Sequence, residues 1–236
     1  MNHKKALGLF LFGAALVCSG QITANDSYTQ NPGAVLPYEC GDFTQHGYGP
    51  FDYTNYDHFT TKLEIVESAH FTREVEALVA GKSSFLIGDL DYTLRVFPNH
   101  HRALASIAKY EFHVEHAQQT LENHIPIMCY FENAMIFKPT DGVVRLIYAA
   151  YHHRKGMAEK RKELLESAEI QYNNALKLMP NSAEVHYNMG LFYYDLNKLN
   201  LAVMHGHKAY DLGFPLPGLK DKLIKKGVWE KTVSQN

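Results

Sequence analysis

The sequence predicts an all-α fold, a short helical solenoid built from antiparallel helix pairs. From residue 61 onward, apolar residues recur at three- and four-residue spacing, which is the period of an amphipathic helix. Prolines at positions 98, 139 and 180 are 41 residues apart, and Pro215 follows after a further 35. A mark that recurs at a nearly constant distance is typical of a chain that repeats one helical unit.

The stretch 181–215 carries the clearest copy of this unit. It reads NSAEVHYNMGLFYYDLNKLNLAVMHGHKAYDLGFP, with Gly190, Tyr193, Ala202 and Ala209 followed by a proline at its end. This pattern resembles a tetratricopeptide (TPR) repeat, in which small residues let two antiparallel helices approach closely. The resemblance implies a helix pair and a general role in binding other proteins.

Three such units are expected, at residues 101–140, 141–182 and 183–215. In the second unit, Tyr151 and Ala168 align with Tyr193 and Ala202 of the third. This alignment makes residues 156–166 a lengthened hairpin, whose charged side chains suit helix ends that extend into solvent. The first two units are therefore longer than an ordinary repeat of about 34 residues.

Capping residues indicate where the helices begin and end. Asn181 or Ser182 would cap the first helix of the third unit, and Asn197 would form the turn to the second helix. Residues 61–98 are predicted as a helical N-terminal cap or degenerate repeat. Its expected helix starts are Thr60 or Thr61, Thr72, and Ser83 or Ser84.

Residues 25–60 are predicted to form an irregular arm, because glycine and proline interrupt any helical period. Its aromatic side chains are too apolar for a solvated tail and are expected to lie against the helices. They are Tyr38, Phe43, Tyr48, Phe51 and Tyr53.

Residues 216–236 are predicted to be a capping helix and tail. Leu219, Leu223 and Ile224 would form its inner face, and lysines would form the outer one. A solenoid needs such a helix to seal its last apolar surface. Membrane-surface binding is the alternative for a basic amphipathic helix.

Residues 1–24 read as a cleaved signal peptide, with a basic start, an apolar stretch and a small residue before Asn25. The apolar stretch is shorter than the roughly 20 residues that span a bilayer, so a membrane anchor is the weaker alternative. Cys18 lacks the flanking residues of a lipidation site. The mature protein is therefore expected to be exported, most naturally to the periplasm, although secretion is also open.

Two cysteines remain beyond this leader, Cys40 and Cys129. In an oxidising compartment they are expected to form one disulfide that joins the arm to the helical body. Two unpaired thiols are the alternative. Neither cysteine lies in a recognisable nucleophile motif.

The composition is that of a globular protein, with 46% hydrophobic and 20% charged residues and a formal net charge of −2. A chain so close to neutral has no electrostatic reason to bind nucleic acid. No segment after the leader is apolar enough to cross a membrane.

Catalysis, a cofactor and a metal are not predicted. His113 and His116 share one side of a helix, but zinc normally takes three or four ligands. No Gly-x-Ser-x-Gly motif is present, and Asp89 and Asp91 are expected to point apart into solvent. A metal-handling protein or enzyme that uses the histidine clusters is kept as an alternative.

The TPR resemblance implies that the first helix of each unit lines a binding groove. The implied groove residues are Arg102, Lys109, Phe112, His113, Arg145, His152, Tyr187, Leu191 and Tyr194. They grade from basic to aromatic, which would suit an extended peptide with an acidic end and apolar side chains. Alternatively, the arm itself would fill this groove.

The segments GYGPFDYTN and LRVFPNHHRAL together resemble exported TPR proteins of Gram-negative bacteria. The expected function is therefore that of a non-catalytic exported adaptor that binds a protein or peptide in an envelope assembly or transport system. A structural subunit that associates with copies of itself is a further alternative, since the sequence leaves the oligomeric state open.

Overall fold

A computed structural model of the protein describes residues 40, 47–113 and 125–229. These residues form eleven helices and contain no strand, which confirms the predicted all-α fold. All of them belong to one compact unit, Val35–Asn236. The helices are α1 (Tyr56–Thr61), α2 (Leu63–His70), α3 (Arg73–Glu76), α4 (Leu86–Val96), α5 (His101–Tyr110), α6 (Ile127–Phe137), α7 (Gly142–Glu159), α8 (Lys162–Leu178), α9 (Ala183–Asp195), α10 (Leu199–Asp211) and α11 (Gly218–Lys225).

The helices after residue 100 pack as the pairs α5/α6, α7/α8 and α9/α10. The first helices α5, α7 and α9 also lie side by side, and α4 packs against α5 from the N-terminal side. In the α9/α10 pair, Gly190, Ala202 and Ala209 are buried at the contact between the two helices. Their small size permits the close approach on which the repeat pattern depends.

Local capping explains the helix ends in this region. The Ser182 hydroxyl accepts a hydrogen bond from the Val185 amide at 3.3 Å, and the Asp141 carboxylate accepts one from Val143 at 3.1 Å. Asn197 has a left-handed backbone, with φ of 57°, in the turn between α9 and α10. The turn between α7 and α8 is short because both helices extend almost to Lys160, whose φ is 54°.

The region before α5 follows one of the expected helix starts, since α3 begins directly after Thr72, and departs from another. Helix α3 has only four residues, and α4 begins at Leu86 rather than after Ser83 or Ser84. The cause is Asp89, whose carboxylate accepts hydrogen bonds from the amides of Ser83 and Ser84 at 3.0 and 3.3 Å. The Ser83–Ser84 segment is therefore held against α4 as a loop and does not form the first turn of that helix.

The expectation that Asp89 and Asp91 are solvated is wrong. Asp89 is fully buried and also contacts His70 Nδ1 at 2.8 Å. Asp91 is half-buried and accepts a hydrogen bond from the Tyr130 hydroxyl at 2.7 Å. Each carboxylate thus ties α4 to a neighbouring segment.

The described part of the arm lies against α2, α4 and the turns that follow α4 and α6. Tyr48, Phe51 and Tyr53 pack on a cluster formed by α2 and the C-terminal end of α4. The Phe51 amide donates to the Val96 carbonyl at 2.8 Å, and the Asp52 carboxylate pairs with Lys138 at 2.7 Å. Tyr38 and Phe43 lie outside the described residues.

A disulfide joins Cys40 to Cys129, which is fully buried in α6. The arm is therefore attached to the helices at two separated places, at α6 through sulfur and near α4 through backbone and side chains. The contacts of Phe51, Asp52 and Tyr53 run along the edge where second helices turn into first helices.

Helix α11 covers the end of the α9/α10 pair. Leu219 and Leu223 are fully buried, with Leu219 over Gly190 and both side chains near Gly206. Ile224 was expected on this inner face, but it is 53% exposed. Ile224 follows Leu223 directly, and successive side chains of an α-helix are rotated by about 100° around its axis.

Residues 1–39, which include the predicted signal peptide at 1–24, lie outside the described residues, as do 41–46, 114–124 and the end of the tail, 230–236. Within the described ranges, no helix is long and apolar enough to cross a membrane.

Candidate functional site

The side of the first helices that faces away from the second helices is the candidate site. On α7, Val143, Ile147, Ala150 and Arg154 recur at three- and four-residue spacing and all keep accessible surface. This spacing places them in one stripe. The α7 residues between them, such as Tyr148, are buried against neighbouring helices.

Two predicted groove residues of α7 lie on the opposite side of the helix. The Arg145 guanidinium donates to Gln171 Oε1 at 3.1 Å and approaches Met135 Sδ at 3.4 Å, so it sits between α6 and α8. His152 is 3% exposed, and its Nδ1 lies 2.8 Å from the Ser167 hydroxyl of α8. Both side chains therefore belong to the packing between α7 and the second helices.

The displacement has a simple origin in the alignment. Matching Tyr151 to Tyr193 sets the two units 42 residues apart, whereas the prolines set them 41 apart. A shift of one residue rotates a helical face by about 100°. With the proline spacing, Ala150 corresponds to Leu191 and Arg154 to Asp195. The two members of each pair are accessible to a similar degree in the structure.

On α5 and the turn that follows it, the accessible stripe contains Ala105, Lys109 and Phe112. His113, at the end of the described segment, is half-buried. Arg102 is exposed, but its guanidinium forms ion pairs with Glu76 and Glu67. Helix α3 thus closes one end of the surface by engaging Arg102.

Helix α9 contributes Asn188, Leu191 and Tyr194, which are partly accessible. Tyr187 is buried and stacks on Phe214, with ring centroids 4.0 Å apart, so its role is packing. The Tyr194 ring is covered by the Lys222 ammonium of α11 at 5.0 Å from its centroid. Helix α11 therefore bounds the other end of the surface.

We call these accessible residues together the first-helix face. It comprises Ala105, Lys109, Phe112, Val143, Ile147, Ala150, Arg154, Asn188, Leu191 and Tyr194.

Contacts between the helices make this face continuous. The Arg154 guanidinium of α7 lies over the ring of Phe112, in the turn after α5, 4.0 Å from its centroid. His153 of α7 pairs with Asp195 of α9 at 3.2 Å. These contacts connect the C-terminal ends of α5, α7 and α9 in order along the array.

The face carries two cations that form no direct ion pair with any described carboxylate. Among the residues that the structure describes, neither Lys109 nor Arg154 has a carboxylate within ion-pair distance, whereas Lys155 pairs with Glu111. Around these cations the floor is apolar, since Ile147 and Leu191 pack partly on the two main cores. The arrangement can hold apolar side chains and an anionic group together.

The histidine pairs are occupied by contacts within the protein. His100 contacts Glu67 at 2.9 Å and His101 contacts Asp141 at 2.8 Å. His186 and His205 contact each other through their Nδ1 atoms at 3.0 Å, in the buried seam between α9 and α10. Within the described ranges, no three histidine, cysteine or acidic residues converge as metal ligands. His116 lies outside those ranges.

The buried histidines are held neutral by their surroundings. Burial lowers the pKa of His152 to about 3, and the cations Lys155 and Arg161 act in the same direction. Burial likewise lowers the pKa of His205 to about 4, with a further contribution from His186. His152 beside Ser167 is thus too weak a base, and too buried, to activate that hydroxyl.

The fold and this surface define an all-helical protein of the solenoid class. Within it, residues 164–197 match the TPR repeat family. The matched segment covers most of α8 and all of α9, so it includes parts of the second and third predicted units. No match is found among curated proteins or among solved structures. TPR repeats are protein-interaction modules, and their stacked helices form extended binding surfaces.

Proposed function

We propose that the protein is a non-catalytic exported adaptor that binds an extended segment of a partner protein on its first-helix face. The observation that carries the proposal is the pairing of an apolar floor with two cations, Lys109 and Arg154, that form no direct ion pair in the described structure. A segment with apolar side chains and at least one carboxylate complements this chemistry. The TPR match supports protein binding as the class of activity.

The described part of the arm does not need this surface for its own burial. Its described aromatic residues Tyr48, Phe51 and Tyr53 pack on α2 and α4 instead. This placement favours a partner, rather than the arm, as the occupant of the first-helix face.

Site-directed crosslinking tests the binding proposal. A photoreactive amino acid at Ala150 should yield a discrete crosslinked partner in the cells that make the protein. The same group at Lys177, exposed on α8, should not. Reversing a charge with Arg154→Glu should abolish the Ala150 product and leave the melting temperature nearly unchanged, because Arg154 is exposed.

Lys177→Glu is the matched charge reversal away from the face. Equal loss of crosslinking in both variants would argue against the first-helix face as the binding surface, as would equal products from positions 150 and 177.

Export is proposed from the leader-like residues 1–24, with a role in envelope assembly or transport. Fractionation followed by N-terminal sequencing tests it. The mature protein should begin at Asn25 and appear in the periplasmic fraction or in the medium. A cytoplasmic protein that still carries residues 1–24 would contradict export.

A further inference from the structure

Both ends of the described helical array expose large apolar side chains. At the N-terminal end, Phe85 is 87% exposed and Ile65 is 58% exposed. At the C-terminal end, Leu216 is 57% exposed and Ile224 is also largely exposed. A solenoid that works as an isolated monomer normally presents polar outer faces at both ends.

At the N-terminal end, the apolar residues form a surface on α4. Phe85, Gly88 and Tyr92 lie on one side of the helix, opposite the buried Leu90 and Leu94. The ring of Tyr92 stacks on His70 of α2 at 3.9 Å, which extends the surface onto α2.

At the C-terminal end, α11 uses Leu219 and Leu223 to cover the α9/α10 pair, and so its outer surface is not needed for packing within the chain. That outer surface presents Ile224 next to Lys225 and Lys226. In the part of the chain that the structure describes, neither lysine has an acidic partner.

The two ends carry opposite charge. Residues 47–100 contain eight Asp and Glu against four Lys and Arg, and Arg102 and Lys138 pair with three of these carboxylates, which leaves a net charge of −2 at this end. Residues 196–229 contain six Lys against two Asp, and Glu169 and Asp195 pair with two of these lysines, which leaves a net charge of +2 at this end. Charges of opposite sign attract the two kinds of end and disfavour contacts between like ends.

We propose that copies of this protein associate head to tail, with the basic C-terminal end of one copy on the acidic N-terminal end of the next. The contact would bury Phe85 and Tyr92 against Ile224 and Leu216, and so continue between chains the stacking that joins helix pairs within one chain. Because the two surfaces differ, the contact is heterologous and produces rings or open chains rather than a closed two-fold dimer. The inference does not depend on the first-helix face.

Sedimentation velocity over a range of concentrations tests this inference. The purified protein should show a rising average mass that falls when salt is added, since the attraction is partly electrostatic. Phe85→Glu, at the N-terminal end, and Lys225→Glu with Lys226→Glu, at the C-terminal end, should each give monomers. Ile136→Glu, at a largely exposed site on α6 away from both ends, should behave as the unaltered protein.

Mixing the two end variants gives the sharpest result. Each retains one functional end of the opposite kind, so a mixture should form a 1:1 heterodimer that grows no further. A mixture that stays monomeric would overturn the proposal, and so would an unaltered protein that is monomeric at every concentration. Arg154→Glu should leave association unchanged, which separates this result from the test of peptide binding.

Discussion

Asn99 and Asp141 are 42 residues apart in the chain, and the Asn99 side-chain amide donates a hydrogen bond to the Asp141 carboxylate at 3.0 Å. Asn99 follows α4, and Asp141 caps α7, so this contact links two successive turns of the array. Asn99 also donates to Asp52 at 2.8 Å and accepts from the Tyr53 amide at 2.9 Å. One buried amide therefore holds the arm and two turns together.

Replacement of Asn99 by alanine should destabilise the protein by about 2–3 kcal/mol, because it removes the hydrogen bonds to Asp52 and Asp141 and leaves the Tyr53 amide without its acceptor. Urea unfolding measures the loss. Asn173→Ala, at an exposed position on α8, is the control and should change stability by less than about 0.5 kcal/mol. Equal effects from the two substitutions would mean that the Asn99 network contributes nothing specific.

Reduction of the Cys40–Cys129 disulfide should lower the stability by roughly 4 kcal/mol on the chain-entropy model, since the bond closes 89 residues. Melting with and without reductant measures this effect. A variant with both cysteines replaced by alanine should have a melting temperature close to that of the reduced protein, and reductant should not change it. A non-reducing peptide map that lacks the Cys40–Cys129 crosslink would contradict the pairing.

The His186–His205 contact should make the protein sensitive to mild acid. Burial and the neighbouring His186 lower the pKa of His205 to about 4 from an ordinary 6.5. The unfolded chain therefore takes up this proton at a higher pH than the folded chain does. Stability should fall as the pH drops from about 6.5 to about 4, by up to about 3 kcal/mol for this group.

Replacing His205 with glutamine should flatten that dependence in urea unfolding measured across the same pH range. His207→Gln is the matched control, because His207 contacts the Trp229 carbonyl and its loss leaves the His186–His205 contact intact. An unchanged slope in His205→Gln would assign the acid sensitivity to other groups.

Two leucine-sized positions on α11 should respond very differently to truncation. Leu219→Ala should cost about 2–5 kcal/mol, because it removes a fully buried side chain that fills the space above Gly190. Ile224→Ala should cost less than about 1 kcal/mol, since that side chain is largely exposed. Thermal unfolding compares the two, and similar losses would mean that α11 packs through a different face.

The helices of the third unit could be predicted from the sequence because their signals are local. Ser182 caps α9 by accepting a hydrogen bond from the amide three residues later. Asn197 adopts the left-handed backbone conformation that its short polar side chain tolerates. The region around α4 could not be predicted in the same way. The start of α4 depends on the Asp89 carboxylate, which accepts hydrogen bonds from backbone amides of the preceding loop. The periodicity of apolar residues does not predict these hydrogen bonds.

The candidate site was predictable in its location on the first helices but not in all of its residues. Lys109, Phe112, Leu191 and Tyr194 retain accessible surface, as a groove requires. Arg154 is part of the first-helix face but not of the predicted groove. Matching Tyr151 to Tyr193 shifts the second unit by one residue, which selects the opposite side of α7. The proline spacing of 41 was the signal that could have found it.

The arm also sets an order in which the molecule can be completed. A chain is synthesised from its N-terminus, yet Cys40 bonds to a residue 89 positions later, and Asp52 contacts Asn99 47 positions later and Lys138 beyond it. This early segment is therefore among the last to dock. A nascent chain shorter than about 130 residues carries a free thiol at position 40, so loss of that thiol's reactivity marks the moment when α6 has been built.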